Sequence, residues 1–301
     1  MSEFELIRKY FDRPTGGAVL GVGDDAALLR PAAGMQLAVS TDLLLEGRHF
    51  RAGADARKLG HKALAVNLSD MAAMGAAPRW ATLALALPAA DEPWLDGFAR
   101  GFFALAERYG VELIGGDTTR GPLCICVTIL GEVPPGQALL RAGARDGDEI
   151  WVSGELGGAA CALAGAGEAA AQRRLDEPEP RVALGLRLRG VASAAIDVSD
   201  GFAQDLGHIL ECSGAGATVE YERLPKFPGA SAGLVLSGGD DYELIFTAAP
   251  HMRMQIEGLS KQLGLALTRV GSIHSRSAAL DILDGRGQRM AAARGFDHFA
   301  A

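Results

Sequence analysis

The sequence has no apolar run that approaches the roughly 18 to 20 uncharged residues of a bilayer-spanning helix. Its opening, "MSEFELIRKYFDRP", is charged and amphipathic and lacks the apolar centre of a signal peptide. No membrane association is expected, and the cytoplasm is the expected location. Cysteine is scarce. Cys124 and Cys126 alternate within the strand-like "LCICVTIL", and Cys161 and Cys212 are isolated, so there is no zinc-ligand spacing and buried free thiols are expected. Aromatic residues make up only 6% of the chain, too few for the sugar platforms that accompany the paired carboxylates of a glycosidase. Positive charge is also in deficit: the formal net charge is -8, which argues against a nucleic-acid partner, because phosphate backbones are bound mainly by Lys and Arg. The pattern G-x-x-x-x-G-K-[ST] is absent, so a nucleotide enzyme here must be of another type. "GVGDDA" fits the loose dinucleotide pattern at Gly21, Gly23 and Ala26, but it would set two Asp against a pyrophosphate with no clear βαβ context.

What is present is glycine, apolar patterning and aspartate. Forty of the 301 residues are glycine, nearly double the usual share of about 7%, and many adjoin Asp, Ser or Thr as in shaped turns. With 49% hydrophobic residues the chain can bury a substantial core, in two medium domains. The first part alternates strand-like runs ("AVLGVG", "MQLAVSTDLLL", "WATLALALP", "ELIGG", "CICVTILGEV") with helices from about Arg57 to Gly75 and over "PWLDGFARGFFALAERYG". A segment rich in Pro, Gly and charge, "VPPGQALLRAGARDGDEIWVSG", places the boundary near residues 134 to 148, giving domains of 1–138 and 139–301. The second part reads as an Ala-rich helix over "GGAACALAGAGEAAAQRRL", the strand "SAAIDVSDG", the helix "FAQDLGHILECSG", further strands, and a hairpin-like "ALDILDGRGQRMAA". The fold class is α/β, or α+β.

Aspartate recurs after apolar runs that end in Gly, Ser or Thr: Asp24 and Asp25, Asp42, Asp70, Asp117, Asp197 and Asp200, Asp240 and Asp241. Each alone has an ordinary explanation as a helix cap or Asx turn. As a set they suggest carboxylates converging on one sheet edge, where sites in α/β folds lie. Asp70 poses the problem most sharply. It shares a helix face with Ala63, Asn67 and Met74 in "KALAVNLSDMAAMGAAP", and burying an unpaired charge there costs several kcal/mol. Converging carboxylates also raise one another's pKa unless a cation compensates. Without Cys pairs or clustered His, the donors are hard oxygens, which suit Mg²⁺ or Mn²⁺ and leave room for nucleotide phosphates.

The ordered series "GVGDDAAL", "AVSTDLLLEGRHF", "KALAVNLSDMAAMGAAP", "LIGGDTTRGPL", "AIDVSDGFAQDLGHI", "SGGDDYELIFT" and "GFDHF" resembles the bacterial thiamine-monophosphate kinase family over nearly the whole chain. "NLSDMAAMGA" alone recurs in the wider superfamily of enzymes like aminoimidazole ribonucleotide synthetase. The resemblance implies an N-terminal sheet domain that dimerises, a C-terminal α/β domain, and ATP bound with several Mg²⁺ ions between them. It assigns Asp25, Ser40, Thr41, Asp42, Asp70, Asp117, Asp197 and Asp200 to metal or metal-bound water. Gly116, Asp117, Arg141 and Ser199 would lie along the nucleotide, and His49, Asp240 and Phe296 would meet thiamine phosphate. Read singly, His49 would be a surface histidine, Arg141 a solvated linker residue and Phe296 a packing residue of the C-terminus. Two positions depart from the family: Asp240 stands where Glu is frequent, and Phe296 where Tyr or Trp is common. The segment "LPKFPGASAGLVLSGG" is also shorter than usual.

The resemblance implies a phosphotransferase that converts ATP and thiamine monophosphate into ADP and thiamine diphosphate, as a homodimer. The acceptor phosphate is largely anionic near neutral pH, so no general base is expected. Catalysis would rest on positioning and charge neutralisation in a direct in-line transfer. The alternatives are a superfamily enzyme that activates a carbonyl or selenide with ATP, and a catalytically silent nucleotide sensor. A selenophosphate synthetase would need a reactive Cys near the N-terminus, and none precedes Cys124.

Overall fold

The computed structural model describes residues 2–166, 169–291 and 295–296. The chain divides into two compact units, Met1–Met71 with Ala76–Gly136, and Ala72–Gly75 with Gln137–Ala301.

The first unit is a four-stranded sheet with helices on one face. β1 (Gln36–Leu45), β2 (Ala77–Leu87), β3 (Glu112–Arg120) and β4 (Cys124–Val133) lie in the order β1-β4-β2-β3. β2 and β3 run parallel and β4 is antiparallel to both its neighbours. Strand alternation sorts the side chains. Ile125, Val127 and Ile129 are buried, while Cys124, Cys126 and Thr128 on the opposite face are half-buried. Edge strand β1 extends this: Leu37, Val39, Leu43 and Leu45 are exposed, whereas Ser40 and Asp42 turn to the helical side. Helix α1 (Glu3–Tyr10) begins with a capping box between Ser2 and Glu5. Helix α2 (Ala56–Ala73) is buried at every position from Lys62 to Ser69, as a helix apolar around most of its surface must be. Helix α3 (Glu92–Tyr109) buries Leu95, Phe98, Phe102 and Leu105 at helical spacing, and Asp91 caps its first turn by accepting the Trp94 N–H.

The "AVLGVG" run forms no strand. Residues 12–35 carry only isolated bridges, among them Leu20 to Leu28. Carboxylates from the sheet hold this segment instead. Glu112 accepts N–H bonds from Gly16 and Gly17 at 2.7 Å and Ala18 at 3.0 Å, and Glu132 accepts from Ala32 at 2.6 Å. Side-chain carboxylates thus take backbone N–H groups that a strand would give to a neighbouring strand.

The second unit holds a six-stranded sheet, β10-β7-β9-β5-β8-β6, built from β5 (Glu149–Ser153), β6 (Ala194–Asp197), β7 (Gly216–Glu220), β8 (Leu244–Ala248), β9 (Leu267–His274) and β10 (Leu280–Leu283). All neighbours are antiparallel except β10 and β7. β5 and β8 are buried along their whole length, so they read as continuous apolar runs without alternation. Helix α7 (Phe202–Ser213) packs Phe202, Leu206 and Ile209 into a core with Ile150, Val152, Ile196 and Ile245. The Ala-rich stretch is two helices, α4 (Gly158–Leu163) and α5 (Ala169–Asp176). α4 stops because Gly165 adopts the left-handed conformation (φ 73°) and the Ala166 N–H turns back to the Cys161 carbonyl. Helices α6 (Val182–Leu188), α8 (Ala232–Ser237) and α9 (Arg253–Leu263) complete the unit.

Helices α2 and α3 cross at a glycine. A Cβ on Gly101 would sit 1.8 Å from the Arg57 carbonyl oxygen, a contact with backbone that no rotamer relieves. Gly101→Ala should therefore lower the stability of the first unit by at least about 1 to 3 kcal/mol. Gly258→Ala, in α9 with nothing within 4 Å of the added carbon, should be neutral or slightly stabilising. Thermal midpoints of the two variants check this.

Candidate active site

In the first unit the acidic residue that seemed stranded in α2 has a partner from β1: the Ser40 hydroxyl donates to Asp70 Oδ2. Asn67, one turn earlier, donates its carboxamide N–H to the Ala63 carbonyl at 3.1 Å, and its Oδ1 is buried without a hydrogen bond. Asp42 lies two residues beyond Ser40 on the same face of β1. Register places Thr41 and Asp117 on the other face. Thr41 meets Thr128 across the strands, Oγ1 to Oγ1 at 2.8 Å, and Asp117 sits beside Ala84, which pairs with Cys126. Gly116 and Asp117 are exposed within β3, and Asp25 is exposed in the segment before β1. His49 follows β1, where its Nδ1 accepts the Leu45 N–H at 2.9 Å. The carboxylates of this unit therefore do not share one sheet edge. Asp42 and Asp117 project to opposite faces, because a shift of one residue along a strand reverses the side.

In the second unit five of the singled-out residues are drawn together. Asp197 ends β6, and Ser199 and Asp200 follow in the turn into α7. The Asp240 N–H donates to the Ser199 carbonyl at 2.9 Å, and the Phe296 N–H donates to the Asp200 carbonyl at 3.0 Å. Asp205, absent from the sequence reading, organises the turn. Its buried Oδ2 accepts the N–H groups of Ser199, Asp200 and Gly201, each at 3.1 Å. Burial, reinforced by the Asp197 charge, pushes its carboxyl up to about 7 despite the backbone donors. The only sequence signal for it is an acidic residue in the first turn of a helix, where the backbone donors are unsatisfied. Arg141 is not part of this turn. It is exposed, and its carbonyl accepts from the Ser213 hydroxyl at 3.3 Å.

The segment from Asp240 to Glu243 is fixed by alternate anchors. Asp240 (φ 65°) and Tyr242 (φ 51°) adopt the left-handed conformation that costs a non-glycine residue energy and that persists only when surroundings enforce it. The Tyr242 hydroxyl donates to Asp240 Oδ1 at 2.9 Å, and Asp241 accepts the Gly157 N–H at 2.7 Å. Glu243, 1% exposed, is gripped by both ends of the Arg181 guanidinium, by Arg174 at 3.3 Å and by the Ser153 hydroxyl at 2.5 Å. A strained loop so held presents Asp240 in one orientation.

The donors available are carboxylates, hydroxyls and carbonyls. Among the described residues no three His, Cys, Asp or Glu side chains gather closely enough to hold a metal ion by themselves. A cation at the Asp197–Asp200 turn would take further ligands from water and phosphate, a shell that suits Mg²⁺. The combined negative charge there, felt by Asp205, is what such an ion relieves.

Asp241 generates a pH-dependent prediction. Burial pushes its carboxyl up from 3.8 to about 7 despite the Gly157 and Ala159 N–H groups. Between about pH 4 and pH 7 the native state then keeps a proton that the unfolded chain has released, so stability falls as pH rises through that window. Asp241→Asn should flatten the fall in thermal midpoint between about pH 5 and about pH 8. An unchanged slope would show that the group titrates as it does in the unfolded chain.

Residues 23–133 match the family model "AIR synthase related protein, N-terminal domain". The thiamine-monophosphate kinase of Salmonella typhimurium is 44% identical over 99% of this chain and 98% of its own length. The crystal structure of thiamine-monophosphate kinase from Stenotrophomonas maltophilia K279a superposes with a TM-score of 0.84 at 45% identity, covering 95% of this chain and 96% of that one. The AaThiL structure complexed with AMPPCP and TMP superposes with a TM-score of 0.78 at 28% identity, over 90% of this chain and 89% of that one. By full-length identity and by fold, the chain belongs to the thiamine-monophosphate kinase family.

Proposed function

We propose that the protein transfers the γ-phosphoryl group of ATP to thiamine monophosphate, yielding ADP and thiamine diphosphate. The observation that carries this reading is the backbone-linked cluster of the second unit, in which the turn bearing Asp197, Ser199 and Asp200 is bonded to Asp240 and to Phe296. Phosphate-binding and substrate-binding groups have to meet in this way for one phosphoryl group to pass between them. The family membership and the relative solved with AMPPCP and TMP support it.

Gly116, Asp117, Arg141 and Ser199 would line the nucleotide. Asp25, Ser40, Thr41, Asp42, Asp70, Asp117, Asp197 and Asp200 would hold Mg²⁺ ions or their water. When bound, Mg²⁺ supplies charge neutralisation between two anionic phosphates and a template for in-line displacement. Asp70 and Ser40 are already hydrogen-bonded, so this part of the ligand set is preorganised. The acceptor phosphate is its own nucleophile, and no side chain has to remove a proton. Phe296, 40% exposed, offers a ring face to the flat heterocycles of the substrate, a contact of about 0.5 to 2 kcal/mol when one carries positive charge. Asp240, set by Tyr242, accepts from the substrate's amino group, and His49 of the first unit is the other residue that the resemblance assigns to thiamine phosphate.

The exposed apolar row Leu37, Val39, Leu43 and Leu45 on β1 suits pairing with a second copy, and we take the enzyme to be a homodimer. No helix among the described residues is long and apolar enough to cross a membrane. Dependence on ATP and four free cysteines suit the cytoplasm.

Incubation with ATP, Mg²⁺ and thiamine monophosphate should give ADP and a product heavier by one phosphoryl group, read by mass. ATP carrying a chirally labelled γ-phosphate should transfer it with inversion, and Asp70→Asn should nearly abolish turnover. Retention of configuration, or labelled protein formed without acceptor, would replace direct transfer by a covalent route.

A further inference from the structure

We infer that Gln204 is a positioning residue that couples cation binding at Asp200 to the placement of Phe296 against thiamine phosphate. The inference rests on the roles proposed above for Asp200 and Phe296. One amide nitrogen serves both residues. Gln204 Nε2 donates to Asp200 Oδ2 at 3.3 Å and to the Phe296 carbonyl at 3.0 Å. The Phe296 N–H in turn donates to the Asp200 carbonyl, so both backbone groups of Phe296 are bonded to this one helical turn. The turn is a firm base, because Phe202, Asp205 and Leu206 beside it are buried. The tail also approaches it closely. A Cβ on Gly295 would lie 2.6 Å from the Asp200 carbonyl oxygen and 2.9 Å from Gln204 Cβ, so glycine alone permits both bonds.

The coupling follows from the shared bridge. The two N–H groups of one primary amide hold the Asp200 carboxylate and the Phe296 carbonyl at the same time. A cation that fixes the Asp200 carboxylate therefore fixes the amide, and through it the Phe296 backbone. The aromatic ring is then fixed most firmly when the nucleotide and its metal are in place. Linkage makes the effect reciprocal: bound thiamine phosphate, by ordering Phe296, tightens Mg²⁺–nucleotide binding by the same factor.

Calorimetry without turnover tests this. The dissociation constant of thiamine monophosphate is measured with and without Mg²⁺ and a non-hydrolysable ATP analogue. In the natural sequence the nucleotide should tighten it by roughly three- to tenfold, the worth of one hydrogen bond. In Gln204→Leu, which cannot donate, that factor should fall to about one while Mg²⁺–nucleotide affinity measured alone stays within about twofold. Gly295→Ala, which displaces the tail by contact instead, should do the same and covers the case of a poorly folded Gln204 variant. Coupling that is absent from the natural sequence, or undiminished in both variants, would overturn the inference. Two controls separate this from the underlying roles. Unchanged thiamine monophosphate affinity in Phe296→Ala would remove the aromatic from the substrate pocket, and unchanged Mg²⁺–nucleotide affinity in Asp200→Asn would remove Asp200 from the metal.

Discussion

One carboxylate oxygen of Asp205 takes three consecutive backbone N–H groups, and the geometry of the second unit's site follows from that. Without it the turn between β6 and α7 would carry three unsatisfied donors, each costing about 1 to 3 kcal/mol where it is buried. With it, the Ser199 and Asp200 carbonyls point outward as acceptors and receive the N–H groups of Asp240 and Phe296. Segments some 40 and 95 residues further along the chain are thereby brought to one place, by backbone bonds that depend little on side-chain identity.

The same economy recurs elsewhere. Glu112 holds the segment before β1 through three N–H groups, and Glu243 anchors the strained Asp240–Tyr242 stretch through two arginines and a serine. These buried or half-buried acidic residues are structural. Asp205, Glu112 and Glu243 are satisfied by donors within the chain, and Asp197 and Asp200 add further charge to the turn that Asp205 holds.

Much of the fold is readable from pattern. The apolar spacing of α3 and the alternation of β4 are local properties that tertiary packing merely uses. Where the reading failed, a distant or conformational fact decided the outcome. "AVLGVG" has strand character but forms only isolated bridges, beside N–H groups that the Glu112 carboxylate takes up, and the Ala-rich stretch breaks where Gly165 turns left-handed. The Ser40–Asp70 bond spans 30 residues, and the opposite facing of Asp42 and Asp117 depends on sheet register, so neither is visible in a linear motif. The proposed site residues Asp197, Ser199, Asp200, Asp240 and Phe296 stand in motifs that carry the family resemblance. Asp205, Gln204 and Glu243, which hold them, were not legible as such, because an acidic or amide residue in a helix or strand carries no local mark of the donors it will meet.

If the proposed function holds, the Asp205-held turn receives the cation and phosphates of the nucleotide. Paramagnetic Mn²⁺ in place of Mg²⁺, added with a non-hydrolysable ATP analogue to isotopically labelled protein, reads this out in solution. The Ser199, Asp200 and Gly201 amide resonances should broaden selectively relative to those of α9. Broadening that spares these three amides would place the cation elsewhere.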